Sequence, residues 1–161
     1  MTFTSDTHFG DHRTINIHRR PFASTDAMDL ALVSRWNAVV SPDDVIWHLG
    51  DFARSSEKAA KVLAQLNGRK HLVRGNNDSP AVSLLPDWET VHDYAELEYG
   101  ERLLILCHYP FRSWNGQHRK SINLHGHSHG RLKAARRQVD VGVDAHAFRP
   151  ISIEEVVSIS G

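Results

Sequence analysis

Five short polar blocks, each placed where an apolar run stops, constrain this chain more than anything else in it. They are Asp6-Thr7-His8, Gly50-Asp51, Gly75-Asn76-Asn77-Asp78, His108 and Gly126-His127-Ser128-His129. Each offers an oxygen or an imidazole nitrogen. In an α/β sheet the ligand crevice lies at the carboxyl ends of the strands, so a fold that delivers these blocks from strand ends would make them converge.

The stretches between the blocks fit that demand. Met1 to Ser5 reads as a buried strand, and Thr7 to Thr25 as a long ordered loop of the kind that serves function. Asp26 is positioned to cap a helix whose apolar residues Met28, Leu32, Val33, Trp36 and Val40 share one face, ended by Ser41-Pro42. Asp44 to Leu49 is a second strand. A helix capped by Ser55 or Ser56 follows, with Ala59, Val62, Leu63 and Leu66 inward and Gly68 closing it. His71 to Val73 is a third strand, and this alternation predicts parallel neighbours with helical crossovers. From about Val91 the pattern changes to a hairpin of Ala95–Tyr99 and Arg102–Cys107. Strands at Ser121–Leu124 and Gln138–Val143 come next, then a short helix opened by the capping-box pair Ser152 and Glu155. The expectation is one α/β domain over residues 1–161, its second half richer in antiparallel strands.

Composition narrows the function. A formal net charge of zero argues against a stable, sequence-independent grip on nucleic acid, which needs many basic phosphate contacts. Twelve histidines against two methionines and one cysteine lean towards metal chemistry. Cys107 has no partner for a disulfide and lies in an apolar run, so it reads as a small core residue in a cytoplasmic protein. No apolar stretch reaches membrane-spanning length.

On an extended chain, residues two apart point the same way. Asp6 with His8, and His127 with His129, can then each share an ion. The donors suffice for two metal ions held side by side, and paired metals imply hydrolysis at phosphorus. Mixed oxygen and imidazole donors suit Mn²⁺ first, with Fe, Zn²⁺, Co²⁺ or Ni²⁺ as alternatives, over Ca²⁺. Asp51, central in order, is the candidate bridge between the two ions.

The order D-x-H, G-D, G-N-x-D, H, G-H-x-H resembles the calcineurin-like metallophosphoesterase superfamily. The surroundings Thr4 to Gly10, Trp47 to Phe52 and His125 to Gly130 look like its small bacterial and phage phosphoesterases. The resemblance spans nearly the whole chain and implies a four-layered α/β/β/α sandwich with mixed sheets. Carried over by position, it implies Asp6, His8, Asp51 and His129 on one metal and Asp51, Asn76, His108 and His127 on the other. It implies a metal-bridging hydroxide as nucleophile and a small phosphoester as substrate, a nucleotide being one candidate. The chain departs from the pattern at Asn77, where many active members carry a histidine that contacts phosphate and protonates the leaving group, oriented by the next aspartate, here Asp78. An amide binds phosphate but is no general acid near neutral pH. Either another group, His12 being the candidate, supplies the proton, or the leaving group needs none.

Around this set, Asp144 is balanced between orienting a ligand histidine and shaping a turn, and Asp140 is expected to face solvent. Arg112, and less so Arg74, are candidate phosphate contacts. The basic run Arg131, Lys133, Arg136 and Arg137 reads as a solvated loop, and Trp88 or Trp114 as a stacking surface only if a base is bound. Beside the phosphoesterase reading stand a nuclease of the same chemistry and a non-catalytic interaction scaffold on the same fold. The sequence is silent on oligomeric state.

Overall fold

The computed structural model describes residues 1–133 and 135–161. Thr2–Thr4 (β1), Val45–His48 (β2), Arg69–Val73 (β3) and Trp88–His92 (β4) lie side by side in parallel, and Ile151–Ser152 (β9) closes the other edge antiparallel to β1. The helices Thr25–Val39 (α2) and Ser56–Leu63 (α3) connect these strands. They bury Met28, Leu32, Trp36, Val62 and Leu63 against the face that carries Ile46 and Leu72. Alternation sends Phe3, Trp47 and Val73 to the opposite face.

That opposite face packs on a second sheet. Ala95–Tyr99 (β5) and Arg102–Leu106 (β6) form the expected antiparallel hairpin. Ile122–His125 (β7) and Gln138–Asp140 (β8) then add in parallel, β7 to β6 and β8 to β7, so this sheet is mixed, as the resemblance implied. Leu104, Leu106, Ile122, Leu124 and Val139 meet Phe3 and Trp47 in the inter-sheet core. The outward residues Ile105 and Asn123 are nevertheless buried. Segment 109–121 covers them: Phe111 N donates to Asn123 Oδ1, and Gln138 Nε2 donates to Phe111 O.

Local details depart from the sequence reading. The stretch from Thr7 to Thr25 contains a helix, His12–Ile17 (α1), capped by Asp11. Ser24, not Asp26, caps α2, its Oγ accepting from Ala27 N; Asp26 sits in the first turn. Pro80–Ser83 (α4) and β4 were not anticipated, and β8 stops at Asp140 because Asp140 turns its carboxylate back onto Gly142 N. Ser152 and Glu155 form the anticipated capping box of Ile153–Ile159 (α5). The seam between the sheets is tied by Val143 N donating to Ser5 O at 3.0 Å. This brings the carboxyl ends of β1, β2 and β3 beside those of β6, β7 and β8.

Candidate metal centre

Three of the five sequence blocks turn sharply as they leave their strands. Asp6, His8, Asp51, His127 and His129 all hold positive φ, between 49° and 65°. Asp and His tolerate this left-handed region better than most residues, but each costs of order 1–3 kcal/mol. Asp6 and His8 therefore converge through two left-handed turns, not along an extended chain as their spacing suggested. Close backbone approach completes the geometry. A Cβ at Gly75 would collide with the Asp51 carboxylate, and one at Gly126 with Ser5 Oγ and Asp6 Oδ2.

The turns bring buried donors together. Asp51 Oδ2 lies 3.5 Å from His8 Nε2 and 3.6 Å from His108 Nε2. Asp6 Oδ1 lies 4.0 Å from His8 Nε2 and 3.7 Å from His129 Nε2. Two groups of donor atoms, Asp6-His8-His129 and Asp6-Asp51-His108, are each compact to within 4.8 Å. Asn76 Oδ1 sits 3.1 Å from His108 Nε2. The His127 ring packs edge-on to His108, 5.1 Å between centroids, while its backbone N donates to Asp6 Oδ2; it adds no nitrogen to either compact group.

These donors fit a divalent cation. His8 Nε2 is buried without a hydrogen-bond partner. His108 Nδ1 is 2.7 Å from Leu49 O, which fixes its proton there and leaves Nε2 as a lone pair facing an amide oxygen. Two acceptors aimed at each other are what a cation reconciles. Burial presses the His8 imidazole down to about 4, against the opposing pull of Asp51, so it is neutral and able to ligate at physiological pH. Burial also pushes the Asp6 carboxyl up to about 6, despite the nearby His129 and His108.

A hidden frame holds the donors. The Arg20 guanidinium, wholly buried, donates to Asp6 O at 2.6 Å, to Thr7 O at 3.0 Å and to both oxygens of Asp144. Asp144 in turn accepts from His129 Nδ1 at 2.7 Å, which turns Nε2 towards Asp6. Burial alone would raise the Asp144 carboxyl, but hydrogen bonds from His129 and Arg20 hold it well below the usual range. His48 sits between the first two blocks, bonding Thr7 Oγ1 through Nε2 and accepting from Gly50 N at Nδ1. Asp78 accepts from the backbone N–H groups of Asp51, Phe52 and Gly75. It binds loop to loop rather than orienting residue 77.

With this geometry in view, the comparisons with known proteins are decisive. Residues 1–144 match the family model described as the calcineurin-like phosphoesterase superfamily domain. The chain belongs to the calcineurin-like phosphoesterase superfamily. It is thereby a metal-dependent phosphoester hydrolase. It is 32% identical to the Gene 66 protein of Mycobacterium phage D29, over 97% of this chain and 94% of the phage protein. It is 29% identical to an uncharacterized protein of Methanocaldococcus jannaschii, over 96% of this chain and 88% of that one. The crystal structure of an Aquifex aeolicus protein of unknown function shares the fold, with a TM-score of 0.79, 24% identity and coverage of 99% and 98% of the two chains.

In this calcineurin-like chain the donors open onto a cleft of about 630 Å³, within the usual range for small-molecule sites. Asn77 lines it, but its Nδ2 and backbone N both donate to Asp51, at 2.6 and 2.8 Å. Two sequence candidates are placed elsewhere. His12, the first residue of α1, is exposed and does not line the cleft, and neither does the exposed Arg112. Arg74 pairs with Asp93 at the surface, Trp88 is in the core, and Trp114 bonds Ser121 Oγ. Asp140 is half-buried rather than solvent-facing, tied to Ser128 Oγ, Gly130 N and Gly142 N. Arg131 leaves the basic run to line the cleft, donating to Ile17 O.

The sequence reading passed over Arg20, His48 and His18. The His18 ring stacks on His129, 3.5 Å between centroids and 12° apart. Burial and the neighbouring His129 press it down to about 4. The arginine just before Pro21-Phe22 was the one available signal for Arg20, since an arginine in an otherwise ordered loop needs an anion to hold.

Proposed function

We propose that this protein hydrolyses small phosphoesters, diesters before monoesters, at a centre of two divalent ions, with Mn²⁺ the first choice. The observation that carries this is Asp51 Oδ2, set almost equally from His8 Nε2 and His108 Nε2 at 3.5 and 3.6 Å. One carboxylate oxygen between two imidazoles of separate loops has the arrangement of a bridge. Asp6, His8, Asp51 and His129 would hold one ion, and Asp51, Asn76, His108 and His127 the other. Bound ions of this kind supply an acidified water for attack and positive charge against the phosphoryl oxygens.

The chain's own contribution is placement. Arg20 and Asp144 fix the His129 tautomer, Leu49 O fixes that of His108, and Asp78 pins the Asp51 turn to the Gly75 turn. The open cleft admits a small ester, and a nucleotide is within its volume. A cytoplasmic setting belongs to the proposal, supported by the lone buried thiol of Cys107.

Manganese titration followed by turnover of bis(p-nitrophenyl) phosphate tests the reading. Wild type should bind two ions and turn over, and Asp51→Asn should lose at least a hundredfold in kcat. With no histidine at position 77, aryl esters should be cleaved far faster than alkyl esters; equal rates contradict that part. Asn77 favours one rival, a scaffold on the same fold, and two bound ions without turnover on any ester would establish it.

A further inference from the structure

We infer that His18 is the phosphate-contacting imidazole of this cleft, donating a hydrogen bond from Nε2 to a phosphoryl oxygen of the substrate. This rests on the phosphoester reading above and assigns a residue to the place that Asn77 leaves open. Four histidines line the cleft: His8, His18, His127 and His129. Three are candidate ligands, which leaves His18 as the uncommitted imidazole among the described residues. Other polar groups of the cleft wall already hold protein partners. Asn77 donates twice to Asp51, Arg13 grips Asp11 through Nε and Nη2, and Arg131 bonds Ile17 O.

The setting of His18 is that of a fixed donor. It follows α1, which Asp11 caps from the first metal loop, and its ring lies flat on His129 at 3.5 Å. Its Nδ1 is sealed from solvent and has no hydrogen-bond partner, whereas Nε2 keeps access to the cleft. An imidazole with one sealed and one open nitrogen keeps its proton where a partner can take it, on Nε2. The N–H then faces the cleft beside His129 and His8, whose rings lie 3.5 and 6.4 Å from that of His18 between centroids. It acts as a neutral donor, so no proton is transferred in this role.

Two variants of similar length separate the donor from the ring. His18→Gln keeps an N–H donor at about the reach of Nε2 and His18→Met does not, while both remove the stack on His129. The readout is binding of inorganic phosphate to the manganese-loaded protein by calorimetry, with manganese affinity measured alongside. The Met variant should bind phosphate at least about tenfold more weakly than the Gln variant, in keeping with a lost charge-assisted hydrogen bond, with equal manganese affinity in the two. Equal phosphate affinity of the Met and Gln variants overturns the assignment, as does a matching loss of manganese in the Met variant alone. A manganese-loaded wild type that binds no phosphate overturns it too. Absence of ester turnover in wild type would instead defeat the hydrolase reading, while the phosphate comparison would still decide His18.

Discussion

At the scale of single residues, the strongest constraint on this centre is the chain from Arg20 through Asp144 to His129. Both members of the ion pair are nearly free of solvent, with side-chain exposures of 0% and 9%. Breaking such a pair leaves a buried charge unmatched, which costs about 3–5 kcal/mol. Asp144→Asn should therefore do two things at once. It should lower thermal stability by that order, and it should weaken manganese binding about 10- to 100-fold because His129 loses the acceptor that orients it. Titration calorimetry and melting on the same samples measure both. Arg74→Ala, which removes the exposed pair with Asp93, should leave both unchanged. Loss of stability with full metal affinity would mean that Asp144 holds α1 in place without tuning His129.

At the scale of elements, α1 is the piece that the sequence disclosed least. Its six residues carry no apolar stripe, and what makes it a helix is Asp11, which accepts from Arg13 N and pairs with the Arg13 guanidinium. The Arg13 hydrogen bond is the main reason the Asp11 carboxyl sits down at about 2. A folded value below the unfolded value of about 3.9 adds stability that is complete above pH ~4 and lost as pH falls towards 2. Asp11→Asn keeps the cap and removes the titration. Its melting temperature should thus depend less on pH than that of wild type between pH 4 and 2, with the difference gone below pH 2. Equal slopes in the two proteins would show that Asp11 does not titrate as argued. The helices α2 and α3 and the β5–β6 hairpin were legible because burial on one face writes a period into the sequence. The metal blocks were legible because Asp, His and Gly are chemically distinctive. Arg20 and His18 were not: their roles depend on left-handed turns at Asp6 and His8 and on the path of α1, which no periodicity records. The parallel addition of β7 and β8 was also hidden, because a short apolar strand carries no mark of its direction.

At the scale of the whole molecule, two sheets joined by an inter-sheet core, by the Ser5–Val143 tie and by bonds such as His108 Nδ1 to Leu49 O meet at a cluster of buried acids and imidazoles. The fold and the ions should therefore stabilise each other, and the pH dependence of that linkage follows from Asp6. Burial lifts its carboxyl to about 6, above the unfolded value of about 3.9. In the metal-free protein a raised value means that Asp6 contributes stability below pH ~4, and that this contribution fades as pH rises through 6. Metal binding needs the ionised carboxylate, so it runs the opposite way, gaining as Asp6 gives up its proton. The gap between metal-loaded and chelator-treated melting temperatures should consequently widen from pH 5 to pH 7.5. An ion present at a hundred times its dissociation constant adds about 2.7 kcal/mol per site, large enough to resolve by calorimetry at each pH. A gap that stayed constant across that range would mean that Asp6 is already ionised throughout, and that burial does not raise its carboxyl as argued.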